Sequence, residues 1–298
     1  MGIFQPNGVK RIRDEGGFLC DMPISCQIPI RNISKVEFDE RDRVVMRCAY
    51  ESQNYLGRLC DESVYENDMV ARIKAAGLPE VYSQVPVAIV IGDFSKTYKL
   101  DLVVDNAIYE LKTVAALTGD HDNQALNYAM FCNVSHAKLI NFRTSRVQGK
   151  LKYVPLTLEG RRKISCDYSA WKAMSPQCDS LKKQTVDVLH DLGAFLDTRL
   201  YEEVLVHMCG GAERSVLRVP VSRDGIVLGS HLFQSHAEGI GFIVTALTNG
   251  SEQYHRHISS LLRMTSLKAM QWINLCHASV QFVTVTNPNP LILLTPFG

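Results

Sequence analysis

At 298 residues, with 46% hydrophobic and 21% charged side chains, the chain has the balance of a globular protein and room for two domains or one large one. A formal net charge of +1 excludes a protein that is basic throughout, so nucleic acid would have to be held by a local basic groove. No run of 18 or more apolar residues marks a membrane span, and the opening MGIFQPNGVKRIRDEGG lacks the apolar core of a secretory signal; a cytoplasmic protein with no membrane partner is the expectation.

The first 40 residues read as short extended segments punctuated by Pro and Gly. From about residue 42 to 76, Val44, Val45, Cys48, Leu56, Val64, Met69, Ile73 and Ala76 recur at three- and four-residue steps, the mark of helix. Gly57 divides this stretch into two helices, and Gly77 stops the second. Three strands follow at 84–91, 97–104 and 107–112, rich in β-branched residues and joined by Gly92-Asp93 and a tight Asp105-Asn106 turn. Residues 121–132 return to helix, 137–142 form a further strand, and 151–156 another. A polar connector then runs to 185. Helix, three strands, helix, strand is the order of a mixed α/β layer fold.

Three small basic clusters, Lys10/Arg11/Arg13, Arg161/Arg162/Lys163 and Lys182/Lys183, read first as solvated surface patches. The nine cysteines show no framework spacing and read as reduced thiols, several of them buried.

Acidic residues stand where a core sheet should be apolar. Asp101 interrupts its strand, and Glu110 and Lys112, two apart on the next, share one face. A hairpin partner can bring Asp101 beside them. Burying such charges is costly unless they are paired or hold a cation. Two carboxylates with a carbonyl or water make a hard oxygen site suited to magnesium. Such an ion polarises a phosphodiester and makes a bound water more acidic. Lys112 can orient that water or neutralise the charge that develops on the phosphate.

The motifs DESVYE (61–66), AGL (76–78), QVPV (84–87), KLDLVVD (99–105), YELK (109–112), HDNQALNY (121–128) and LINF (139–142) carry a resemblance. In order and spacing, over about residues 40–150, they resemble the GxxExxY proteins of the PD-(D/E)XK nuclease superfamily. The resemblance implies a restriction-endonuclease-like α/β core, a mixed central sheet flanked by helices. It implies a nuclease that hydrolyses nucleic acid, DNA by preference, with Mg2+ as cofactor and Mn2+ as substitute. Asp101 and Glu110 would be the main metal ligands, Glu62 the helix carboxylate completing the site, and Lys112 the catalytic lysine. Gln124 and Tyr128 match the QxxxY element of RecB-like nucleases, implied to touch substrate or the lysine; their spacing of four places them on one helix face. His121 shares that face and would steady a phosphate or cap the helix. Tyr65 reads as core. The chain departs from the pattern at Leu59, where the motif opens with Gly; a Gly stands two residues earlier. Some RecB-type nucleases hold an iron–sulfur cluster, but no CxxC occurs here, so neither a cluster nor structural zinc is expected.

The second half repeats the first. LGRLCDESVYE (56–66) aligns without a gap on LGAFLDTRLYE (192–202), an offset of 136; VPV recurs at an offset of 134 and IN at 133. A nuclease domain over 1–160, a connector over 161–185 and a degenerate repeat over 186–298 follow, the two halves forming an internal pseudo-dimer. At these offsets Glu62 falls on Thr198, Asp101 on Gln234, Glu110 on Ile243, Lys112 on Thr245, Gln124 on His257 and Tyr128 on Leu261. The scaffold recurs and the chemistry does not, so one site per chain is expected. Arg256, His257, Arg263 and Lys268 on the last helix, with Trp272 as a stacking surface, would then hold substrate, or else lie in solvent around a core Trp272. Residues 287–294 read as an extended tail docking on a sheet. The competing reading of the whole chain is a non-catalytic nucleic-acid-binding or assembly protein on the same scaffold.

Overall fold

Ser34 and Glu37 close a capping box, the Ser34 hydroxyl accepting from the Glu37 amide and the Glu37 carboxylate from the Ser34 amide. Helix α1 (Lys35–Leu56) therefore begins seven residues before the apolar periodicity does, inside a stretch expected to be extended. The computed structural model describes residues 12–13, 19–20, 22–276 and 279–290. Two short strands, β1 (Ile12–Arg13) and β2 (Leu19–Cys20), pair with each other. The chain divides into two units, Met1–Leu158 and Glu159–Gly298.

In the first unit β3 (Ile24–Cys26) and α1 precede α2 (Glu62–Ala75), β4 (Val81–Ile91), β5 (Phe94–Val104), β6 (Ala107–Lys112), α3 (Gly119–Phe131), β7 (His136–Asn141) and β8 (Gln148–Tyr153). The sheet runs β3-β4-β5-β6-β7-β8, with β6 and β7 parallel and every other pair antiparallel. Gly57 breaks the helices with φ 76°, and Asp105 and Asn106, at φ 44° and 72°, supply the double left-handed turn a two-residue hairpin favours. Phe38, Val45, Tyr65, Met69 and Ile73 from α1 and α2 pack on Tyr109, Leu111, Ile140 and Phe142. Alternation along β6 turns Glu110 and Lys112 to the opposite face. All six residues of β6 are buried, these two included, so that strand carries charge where packing alone would not put it.

The second unit holds β9 (Ser165–Ala170), α5 (Pro176–Leu192), α6 (Thr198–Met208), α7 (Ala212–Ser215), β10 (Val216–Arg223), β11 (Ile226–Ala237), β12 (Ile240–Thr245), α8 (Ser251–Arg263), β13 (Ala269–Cys276) and β14 (Ser279–Thr286). A short α4 (Leu158–Arg162) leads into it. Its sheet runs β10-β11-β12-β13-β14-β9. Strands β10 to β14 repeat the order and pairing directions of β4 to β8, with β12 and β13 as the parallel pair and α8 in the place of α3. The sixth strands differ: β3 flanks β4 in one unit, whereas β9 runs parallel to β14 in the other. Two side-chain devices recur as well. Tyr65 donates to the Gly57 carbonyl at 2.6 Å, and Tyr201 to that of Gly193 at 2.5 Å. Asn141 bonds both backbone groups of Val114, and Asn274 both of Leu247.

Several expectations are corrected here. Residues 161–185 are no connector, since they carry β9 and the first half of α5. Arg161 is not a surface cation: it is fully buried and donates to the carbonyls of Leu192 and Ala194. Lys182 and Lys183, by contrast, lie at the surface as expected, the first partly covered, and pair with Asp179 and Asp187. Lys10 and Arg11 lie outside the described residues. Lys268 lies beyond the end of α8. Trp272 is buried, donates to the Thr245 hydroxyl at 2.7 Å and packs on Tyr254, so its faces are core. Of the expected tail, Asn287 is tied to the carbonyls of Leu262, Thr265 and Leu267, and 291–294 lie outside the described residues. The eight cysteines described in side-chain detail are free thiols. Among the described residues no helix is long and apolar enough to cross a membrane.

Candidate active site

Strand pairing brings the acidic residues together. Leu102 lies opposite Tyr109 in the β5–β6 ladder, which sets Asp101 across from Glu110 one step on. The ladder ends there, and the Asp101 carboxylate takes over the Leu111 amide as acceptor at 2.9 Å. Lys112 Nζ donates to Glu110 Oε1 at 2.6 Å and to the Leu111 carbonyl at 2.8 Å. It stands 3.7 Å from Asp101 Oδ2 and 3.9 Å from Glu62 Oε2 at the start of α2. All four residues expected from the sequence thus meet at one ammonium.

One cation faces three carboxylates, and the excess of negative charge shapes their acidity. Burial first, and then the charge of Asp101, push Glu110 up to about 9, with Lys112 pulling the other way. Burial also raises Glu62, Lys112 opposing and Asp101 and Glu66 reinforcing. Burial works against the Lys112 charge, but Glu110, Asp101 and Glu62 outweigh it, and the ammonium is held more tightly than usual.

Helix α3 presents Gln124 and Tyr128 to this face, the Gln124 amide donating to the Tyr128 hydroxyl at 3.1 Å. Burial drives Tyr128 up to about 12 despite the Gln124 bond, and Glu110 and Asp101 add to the shift, which places the phenol within reach of their charge. His121 is used differently: its Nδ1 accepts from the Thr118 amide at 2.9 Å, closing a capping box at the start of α3. Of its two expected roles the structure gives it helix capping.

Two residues of the site went unread in the sequence. Glu66, four after Glu62 and so on the same helix face, is buried and accepts from the Gln84 side-chain amide at 2.6 Å. Burial, first, makes it a weaker acid and raises its pKa, with Gln84 opposing and Asp101 reinforcing. Gln84 itself stands at φ 52° within β4. The spacing of Glu66 was a usable signal; the backbone of Gln84 was not.

The donor set fits a divalent cation. Glu110 Oε2 is buried without a hydrogen-bond partner, and the surrounding ligand atoms are carboxylate oxygens, the chemistry of a hard divalent cation rather than of a thiolate-bound ion. Among the described residues no three His, Cys, Asp or Glu side chains are gathered closely enough to cage an ion. Here Lys112 stands between them.

The corresponding positions of the second unit hold no such set. Ile243 and Thr245 occupy the places of Glu110 and Lys112, opposite Trp272 and Asn274 as those are opposite Leu139 and Asn141. The expected match of Asp101 to Gln234 is shifted by one. A bulge between Ser235 and Ala237 absorbs a residue, Gln234 faces Phe242 as Leu102 faces Tyr109, and buried Phe233 takes the place of Asp101.

Residues 39–154 match the family model of the PD-(D/E)XK nuclease superfamily. No curated protein and no solved structure matches the chain.

Proposed function

With residues 39–154 falling in the PD-(D/E)XK nuclease superfamily, we propose that the chain is a magnesium-dependent nuclease of the GxxExxY, RecB-like type, hydrolysing phosphodiester bonds of nucleic acid, with DNA as the preferred substrate. The observation that carries the reading is the convergence of Glu62, Asp101 and Glu110 on Lys112 Nζ, with Glu110 Oε2 buried and unpartnered. Asp101 and Glu110 would hold Mg2+, or Mn2+ in its place, and Glu62 would complete the set. When bound, the ion supplies charge neutralisation at the phosphate and a more acidic water.

The protein's own groups do the rest. Lys112 offers three donors from a fixed position, two of them engaged by Glu110 and the Leu111 carbonyl. Its free donor direction is suited to the attacking water or to the oxygen on which charge develops. The Gln124–Tyr128 pair supplies neutral donors beside the same face, positioning the substrate backbone without adding charge. The second unit is a degenerate copy of the first; the repeated strand order, the paired Tyr–Gly and Asn bonds and the sequence offsets support this, and it leaves one site per chain.

The test is incubation with single- and double-stranded DNA and RNA, with Mg2+ or Mn2+ and with EDTA. Cleavage is expected with either ion, abolished by EDTA and lowered by about 10²-fold or more in Lys112→Ala. Cleavage unchanged in that variant would overturn the catalytic assignment, and binding without cleavage would favour the non-catalytic alternative.

A further inference from the structure

A non-glycine residue in the left-handed region within a strand costs on the order of 1 kcal/mol and persists only where its surroundings hold it. Gln84, at φ 52°, is such a residue. It lies in β4 between Ser83, paired with Leu102, and Val85, paired with Leu100, so the residue it faces across the ladder is Asp101. The twist aims its carboxamide at Glu66, 2.6 Å away. Glu66 is buried on the face of α2 that also carries Glu62.

The second unit provides an internal control. At the offset of the shared Val-Pro-Val motif Gln84 falls on Arg218, and the residue that faces Phe233, in the place of Asp101, is Leu217; both stand in regular register. Glu66 falls on Glu202, whose carboxylate instead accepts the Val244 backbone amide at 3.0 Å. Val244 matches Leu111, whose amide is bound by Asp101 in the first unit. Where Asp101, Glu110 and Lys112 are absent, the strained glutamine and its bond to the helix carboxylate are absent too.

We propose that Gln84 and Glu66 form a positioning pair of the acidic site: Gln84, held in its left-handed conformation, fixes the Glu66 carboxylate beside Glu62 and Asp101, so that a fourth negative charge backs the cation-binding face. This rests on the metal-dependent reading above. The buried, unpartnered Glu110 Oε2 is the separate sign that this face takes a cation. Gln84 acts through Glu66 and Glu66 through its charge; neither is a ligand or a catalytic group.

Titration calorimetry with Mn2+ on the whole chain, alongside thermal melting in EDTA, tests the pair. Glu66→Gln keeps an amide for Gln84 to bond while removing the charge. Gln84→Asn keeps a residue tolerant of left-handed backbone with an amide too short to reach. Each is expected to weaken Mn2+ binding about tenfold, as loss of an outer partner does at metal sites, without lowering the midpoint in EDTA. Gln84→Gly, free of the backbone cost, should weaken binding equally and guards against misfolding of the other two. A merely structural pair would show the reverse, a lowered midpoint with unchanged affinity, and that result overturns the inference. If the parent protein binds no Mn2+, the metal-dependent reading itself fails.

Discussion

Glu110 holds its proton to about 9, against 4.5 for an ordinary glutamate, because its carboxylate is buried beside Asp101. Between those two values the folded protein binds a proton that the unfolded chain has lost. Stability from this group is therefore fully present below about 4.5 and declines as pH rises towards 9. In EDTA the melting midpoint should fall by a few degrees between neutral pH and pH 9, and Glu110→Gln, which cannot ionise, should flatten the trend. A slope identical in parent and variant would show that Glu110 is already ionised at neutrality. If Mg2+ binds at Glu110 as proposed, the sign should reverse in its presence, since the ion would need the ionised carboxylate.

At the scale of elements, the Tyr–Gly bond ties the start of the second helix of each unit to the end of the first. Both tyrosines are buried, and the Tyr201 hydroxyl also accepts the Leu196 amide at 3.1 Å. Tyr201→Phe and Tyr65→Phe should each cost about 1–3 kcal/mol in chemical denaturation, with position 65 retaining its stack on Phe142. Losses below that range would mean that solvent replaces the phenol at both places. These ties also bear on what the sequence discloses. The helix break at Gly57, the hairpin at Asp105-Asn106 and strand β6 were legible because each has a local signature. The start of α1 was not read because a charged run, residues 39–43, separates its first turn from the apolar periodicity, although Ser34 and Glu37 spell a capping box. Strand β9 was missed because it is an exposed run without alternation. Asp101, Glu110 and Lys112 announced themselves as charges in an apolar setting. Glu66 did not, because an acidic residue on a helix reads as solvated, and only the fold buries it. The bulge that sets Phe233 in the place of Asp101 arises from pairing, which no local pattern encodes.

The two units carry six-stranded sheets of like order, and the acidic cluster around Lys112 lies in the first. Asn141 and Asn274 make the same bridge from β7 and β13, whereas Ile243 and Thr245 stand where the first unit has Glu110 and Lys112. The carboxylate at the matching helix position, Glu202, accepts the Val244 backbone amide, and burial raises its pKa. Glu202→Gln exchanges one acceptor for another and removes a half-buried carboxylate. It should leave cleavage within about twofold and change the stability of its unit by no more than about 1 kcal/mol. Glu62→Gln, by contrast, removes a carboxylate that stands 3.9 Å from Lys112 Nζ, and should lower cleavage about tenfold or more while the protein stays folded. Comparing the two variants under the same Mg2+ concentration separates a chain with one working site from a chain with two. Comparable losses in both would mean that the second unit takes part in the chemistry, because a purely structural glutamate has no route to the reaction other than through folding.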